Sequence, residues 1–157
     1  MKTTVIIQAS ARSHGDTNTI VNELNKHNNF DVIDLKTKKI GHFEYDFKNA
    51  DDDFLPLMEE IISKYDTIVF ATPVYWYNMS SILKAFFDRL SDLLHYKNMA
   101  MISNNNYDDI KEGFSMPFRE SANYLGMTYL GNTHAWVEEG KINPVAIDRI
   151  DAFRELL

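Results

Sequence analysis

Two short stretches concentrate the residue types that can hold a charged, ring-bearing ligand. The first, QASARSHGDTNTIV, runs from Gln8 to Val21 and follows the apolar burst Val5-Ile6-Ile7. It offers the hydroxyls of Ser10, Ser13 and Thr17, the planar cationic fork of Arg12, and Gly15 for a sharp turn, all just before a helix. A helix N-terminus carries unpaired N–H groups and a partial positive charge, so the segment can cradle one phosphate. The same residues also read as a well-capped helix start with Asp16 as N-cap. Neither a P-loop nor a Gly-x-Gly-x-x-Gly fingerprint is present, which points to a mononucleotide phosphate rather than a triphosphate or pyrophosphate.

The second stretch, TPVYWYNMSSILKAFFDRL, spans Thr72 to Leu90 and contains three adjacent aromatics, Tyr75-Trp76-Tyr77. Three consecutive aromatics cannot all enter one core. They suit a flat aromatic ligand, with backbone N–H groups around Asn78 and the Asn78 amide meeting its polar edge; packing or a subunit contact is the alternative. No Ser-His-Asp constellation or pair of catalytic carboxylates is recognisable from spacing, so no residue is assigned as catalytic and none as a metal ligand. His14 and His134 are candidates to touch substrate or cofactor, against a structural or surface role for each. Asp51-Asp52-Asp53 reads as a solvated acidic cluster at a helix start.

The elements that must position these stretches alternate. Strands are expected at Thr3–Ala9, Asp31–Leu35, Thr67–Thr72, Asn98–Ser103 and within Met127–Val137. Helices are expected at Thr17–Lys26, Asp52–Tyr65, through Met79–Leu94, around Met116–Leu125, and at Pro144–Leu157. The third helix would carry an apolar stripe of Met79, Ile82, Leu83, Phe86, Phe87, Leu90, Leu93 and Leu94, with Lys84, Asp88, Arg89 and Asp92 facing away. Pro117 fits the first turn of the fourth helix and Gly126 its C-terminal cap. Five strands alternating with five helices imply one α/β domain over residues 1–157 with a parallel sheet covered on both faces. Ligands bind at the carboxyl ends of such strands, so the loops after strands one, three and four matter most. Asn104–Gly113, after strand four, is long for such a connection, and its Tyr107 is expected to lie over or beside the ligand.

With 157 residues, 45% of them hydrophobic and 25% charged, the chain has the balance of a globular domain. A net charge of −7 argues against general binding to nucleic acid or to an anionic membrane surface. Cysteine is absent, which excludes disulfides, thiolate catalysis and cysteine-bound clusters within the chain. The first apolar stretch is too short for a signal peptide and none approaches the roughly 20 residues of a membrane span, so a cytoplasmic location is expected.

The two stretches resemble the NAD(P)H-dependent FMN reductase family. ASARSHGDT is similar to its phosphate loop, G-S-x-R-x-x-G-[NS]-T, and TPVYWYNMSSILKAFFDR to its isoalloxazine-binding segment, P-x-Y-x-x-x-[MP]-S-x-x-K-x-x-[IF]-D-R. The resemblance implies a flavodoxin-like three-layer sandwich with a five-stranded parallel sheet in the order 2-1-3-4-5. It implies FMN as cofactor, held at its phosphate by Ser10, Arg12, Asp16, Thr17 and Asn18 and at its ring by Pro73, Val74, Tyr75, Trp76, Tyr77 and Asn78. Ser103 and Asn104 are carried over from the third loop. Lys84, Asp88 and Arg89 match the helix signature and are read as structural or as a dimer contact.

The chain departs from the pattern at Ala9, Ala11 and Asp16, the last adding a negative charge near the phosphate, and in the glycine-poor Ser103-Asn104-Asn105-Asn106. The stretch IGHFEYDFKNADDDF, Ile40 to Phe54, lacks the cysteines with which one branch of the relatives holds an iron–sulfur cluster. The implied activity is electron transfer from NADPH or NADH through FMN to a small-molecule acceptor, quinone-like, nitro, azo or free flavin, by a homodimer. A flavodoxin-type electron carrier and a non-catalytic flavin-binding protein are the alternatives.

Overall fold

The computed structural model describes residues 3–91 and 94–157. Its centre is a sheet of six strands in the order β2-β1-β3-β4-β5-β6, where β1 is Thr4–Gln8, β2 Asp31–Asp34, β3 Thr67–Pro73, β4 Asn98–Asn105, β5 Thr128–Glu138 and β6 Lys141–Ile142. The first five are parallel, in the expected 2-1-3-4-5 order. The sixth, which the sequence reading omits, is a two-residue antiparallel strand on β5. Its turn, Glu139-Gly140, takes positive φ at both residues. Polar flanks hide so short a strand from any hydrophobic pattern.

The central strands β1 and β3 are buried along their whole length because helices cover both faces. Alternation then sorts their side chains. Val5, Ile7, Ile68, Phe70, Met99 and Met101 pack against α2 (Phe54–Lys64), α3 (Ser81–Phe87) and α4 (Glu112–Tyr124). Ile6, Val69, Ala71, Ala100, Ile102 and Ala135 face α1 (Asp16–Leu24) and α5 (Pro144–Arg154). The first layer holds a cluster of Phe54, Phe70, Phe86, Phe87, Phe114 and Phe118, with several ring pairs in edge or tilted contact.

Several local expectations are corrected. Helix α3 ends at Phe87, not Leu94; Asp92 and Leu93 lie outside the described residues. The chain tightens there through Arg89 N–H to the Phe86 carbonyl and Leu90 N–H to the Phe87 carbonyl, and Arg89 turns inward rather than to solvent. Helix α4 starts one turn early, at Glu112, so Pro117 lies inside it and not in its first turn. The carbonyl deprived of a donor is that of Gly113, which sits in the exposed first turn. Gly126 does end α4, at φ 67°, with Met127 N–H bonded to the Ala122 carbonyl and Gly126 N–H to the Asn123 carbonyl. Strand β4 runs on to Asn105, so the following loop is shorter than the stretch from Asn104 to Gly113. The polar asparagines stay in the strand because β3 and β5 pair with them, Pro73 with Asn104 and Trp136 with Asn105.

The acidic run also differs from expectation. Asp52 is buried, with its carboxylate bonded to Gly41 N–H at 2.7 Å, Phe54 N–H at 2.9 Å and the Arg89 guanidinium at 2.5 and 3.1 Å. Burial alone would raise its pKa, but the guanidinium and the two N–H groups hold the carboxyl below its ordinary value. Arg89 also stacks 4.3 Å from the centre of the Phe54 ring.

Candidate functional site

The loops after β1, β3 and β4 meet at one end of the sheet, and buried polar bonds fix them to one another. Gln8, the last residue of β1, is buried; its amide donates to the Ser13 carbonyl at 3.0 Å and accepts from the Asn18 amide at 3.1 Å. The Ser80 hydroxyl donates to the Ala9 carbonyl at 2.7 Å and accepts from Leu83 N–H, capping α3, while Ser80 N–H reaches the Thr72 hydroxyl. Val74 N–H bonds the Asn104 carbonyl at 2.8 Å, and the Thr17 hydroxyl donates to Asn104 Oδ1 at 2.7 Å. Each loop is thereby registered against the other two before any ligand arrives.

A cleft of about 430 Å³ opens between them, lined by Ser10, Arg12, Asp16, Thr17, Pro73, Val74, Tyr75 and Asn104, with Asn105, Asn106 and Tyr107 opposite. Helix α1 begins at its edge with Gly15 as N-cap and no side-chain cap bond. Asp16 is therefore not the N-cap but the first helical residue, and the helix start is left open to an anion. Arg12 has no acidic partner among the described residues, and its side chain packs over Gly15, where an added Cβ would lie 3.3 Å from Nε. The buried Thr17 hydroxyl is committed to Asn104, which leaves the Ser10 hydroxyl and the Arg12 guanidinium as uncommitted donors beside the helix start.

A second lobe of about 530 Å³ adjoins the first and shares Val74, Asn105 and Tyr107 with it. Trp76 and Tyr77 form one wall, Ile110 and Phe114 give apolar lining, and Asp108, Asp109 and Lys111 lie at its polar side. The aromatic wall stands on a two-residue hairpin: Tyr75 N–H bonds the Asn78 carbonyl at 2.8 Å and Asn78 N–H the Tyr75 carbonyl at 3.0 Å. Trp76 and Tyr77 sit in the left-handed region, at φ 51° and 62°. That turn favours Asn-Gly, and bulky residues there cost about 1–3 kcal/mol each. Trp76 is nonetheless 96% exposed, so packing against the described residues does not repay the strain. Asn78 spends its N–H within the hairpin and its Oδ1 on Met79 N–H at 2.8 Å. Of the backbone N–H groups around Asn78, those of Trp76 and Tyr77 have no partner among the described residues.

Of the residues expected at the site, Asn18, Asn78 and Ser103 line neither lobe. Asn18 serves Gln8, and Ser103 is buried with its hydroxyl 2.8 Å from His134 Nδ1. His134 is buried and lines neither lobe; burial pushes its pKa down, against the partial offset of a hydrogen bond to the Tyr107 carbonyl. Gln8, Ile110 and Phe114 escaped the sequence reading, while Asn105 entered it only as part of the glycine-poor third loop. Gln8 left one trace, a polar residue ending an otherwise apolar strand run.

One lobe thus pairs a free guanidinium and hydroxyl with a helix start, and the next offers aromatic walls with an apolar lining. The residues fit a planar heterocycle carrying a phosphate at the end of a chain, with Asp16 the one repulsive group at the phosphate end.

Comparison with known proteins agrees with this geometry. The family model described as NADPH-dependent FMN reductase matches residues 1–141. YwqN of Bacillus subtilis, named as an NAD(P)H-dependent FMN-containing oxidoreductase, is 30% identical over 97 residues, covering 57% of this chain and 52% of YwqN. The alignment therefore spans about half the length of that relative. Among solved structures, the Trp repressor binding protein from Bacillus subtilis superposes with a TM-score of 0.72 at 20% identity, over 98% of this chain and 97% of that one. An FMN-dependent NADH-azoreductase from Bacillus anthracis, in complex with FMN, superposes at 0.70 with 13% identity, over 98% and 97%. At such identities the structural likeness speaks for the fold, which is flavodoxin-like.

Proposed function

Because this chain belongs to the NADPH-dependent FMN reductase family, we propose that it is an oxidoreductase holding FMN across the two lobes and using NADPH or NADH to reduce a small flat acceptor. Quinone-like, nitro, azo and free-flavin acceptors fit that description. The observation that carries the reading is the continuity of the cleft from Arg12, beside the open start of α1, to the Trp76–Tyr77 hairpin and Tyr107.

Bound FMN supplies hydride and electron transfer; the protein binds, orients and shields it. Arg12 and Ser10 lie where they can neutralise and bond a phosphate, and the N–H groups of Trp76 and Tyr77 are free to meet the polar edge of a ring. Val74, Ile110 and Phe114 give the ring an apolar lining that limits water. Tyr107 is 73% exposed and borders both lobes, in position to restrict what stacks there.

We also propose a homodimer acting in the cytoplasm. Exposed Trp76 and Tyr77 support self-association, as does a second apolar groove between Phe43, Phe47, Leu55 and Met58. No helix among the described residues is long and apolar enough to cross a membrane.

The test is ultrafiltration with FMN, then steady-state oxidation of NADPH and of NADH with added menadione. Retained flavin with turnover is expected. Absence of retained flavin at micromolar concentration overturns the assignment. Flavin retention without turnover, with a stable one-electron semiquinone on titration, favours an electron carrier instead.

A further inference from the structure

His134 lies on β5, and its two ring nitrogens face different partners. Nε2 is 2.9 Å from the Tyr107 carbonyl and 3.3 Å from Asn105 Oδ1, while Nδ1 is 2.8 Å from Ser103 Oγ. A carbonyl oxygen only accepts, so Nε2 carries the hydrogen. Nδ1 is then the acceptor, and the Ser103 hydroxyl donates to it. Strand register sets this geometry, since Ser103 of β4 is paired directly with His134 of β5. The polar and charged groups around the ring come from three elements: Ser103 and Asn105 from β4, Asp108 and Asp109 from the following loop, and Arg149 from α5.

The segment the imidazole holds is the one that divides the cleft. Tyr107 N–H bonds Asn105 Oδ1 at 2.6 Å, closing a local turn, and Arg149 donates to the Asp108 carbonyl at 2.8 Å. Backbone groups at 107 and 108 are thus tied down to β5 and α5, while the Tyr107 ring stays exposed between the lobes.

Resting on the proposed oxidoreductase reading, we infer that His134 is a positioning residue for acceptor selection: its Nε2–H grips the Tyr107 carbonyl and so fixes where the Tyr107 ring stands over the cleft. It acts through Tyr107 alone and does not touch the ligand. Loss of the grip frees the wall that bulky acceptors must pass, while Ser10 and Arg12, on the loop after β1, keep their places at the phosphate end.

Two amide side chains separate this role from general packing. A Gln Nε2 sits as far along its side chain as a His Nε2 and can donate to the Tyr107 carbonyl. An Asn amide reaches only the Nδ1 position and serves Ser103. On the FMN-loaded enzyme, His134→Asn is expected to change the KM for a bulky naphthoquinone several-fold, up to about tenfold, the scale of one lost hydrogen bond. Its kcat with ferricyanide and its retained FMN stay at the wild-type level. His134→Gln is expected within about twofold of wild type throughout. Equal behaviour of the two variants, unchanged or equally impaired, overturns the inference.

A measurement on the unaltered protein covers the case in which neither variant folds. With 15N-labelled histidine, the His134 imidazole is expected as the Nε2–H tautomer near pH 7; the Nδ1–H tautomer refutes the grip. Failure of the wild-type enzyme to retain FMN or oxidise NAD(P)H strikes instead at the functional reading on which this rests.

Discussion

The hydroxyl of Thr17 donates to Asn104 Oδ1 across 2.7 Å, joining the first turn of α1 to the end of β4 with both side chains buried. Both residues line the lobe proposed to take the phosphate. Thr17→Val keeps the shape but leaves the Asn104 oxygen without its donor, a desolvated acceptor worth about 1–3 kcal/mol. Urea unfolding is expected to show a loss of that size. FMN affinity is expected to fall with it, because the loops after β1 and β4 lose their mutual register. Full stability in the valine variant would show that the bond contributes nothing net.

Asp52 and Arg89 present a different case, since neither borders the cleft. Their side chains are 4% and 9% exposed and form a two-point pair. Removing one partner strands the other's charge, so Arg89→Met is expected to cost about 3–5 kcal/mol. The Asp52→Asn, Arg89→Met double variant is expected to recover part of that loss, which a double-mutant cycle measures. The pH dependence follows from the lowered folded pKa of Asp52. Its stabilisation is complete above the ordinary carboxylate value and is lost as pH falls through the lower folded value. Arg89→Met should flatten that acid limb in urea titrations from pH 6 downward; an unchanged limb would place the acid sensitivity elsewhere.

The Trp76-Tyr77 hairpin stores strain at the ligand end of the sheet. Replacing the pair by Asn-Gly supplies the residues that its left-handed turn favours. Thermal unfolding of the flavin-free protein should therefore rise, by the equivalent of about 1 kcal/mol or more. Acceptor turnover should fall, because the aromatic wall is gone. A variant both less stable and less active would mean that the aromatics are held by packing.

Which features the sequence discloses follows from how locally each is determined. Strands β1 and β3 are legible because coverage on both faces leaves continuous apolar runs, and α1 and α2 because one stripe of each enters the core. The two ligand-facing loops are legible because their residue types are unusual for turns. Features that depend on a distant partner are not. Asp52 looks like one of three solvated acids until Arg89, 37 residues away, is seen to enter beside it. Leu90 and Leu94 continue a helical stripe although α3 has ended, since apolar residues packed from a turn produce the same spacing. Asn104 and Asn105 look like loop because the strand partners that keep them in β4 lie in β3 and β5. His134 reads either as a ligand-touching residue or as a structural or surface one, and its bonds to Ser103 and to the Tyr107 carbonyl depend on partners that no local pattern discloses.

Arg12 tests the phosphate assignment directly. Its guanidinium has no acidic partner among the described residues, lines the first lobe beside Ser10, and rests over Gly15. A charge-assisted bond to phosphate is worth about 1.5–3 kcal/mol, so Arg12→Ala is expected to weaken FMN by roughly one to two orders of magnitude. Riboflavin lacks the phosphate and should bind wild type and variant about equally. Gly15→Ala offers a milder version, since its Cβ must push the guanidinium aside by a few tenths of an ångström; it should weaken FMN less than Arg12→Ala and leave riboflavin unchanged. Fluorescence titration of both flavins against all three proteins decides the matter. Equal losses for FMN and riboflavin would mean that Arg12 shapes the loop without reading the phosphate.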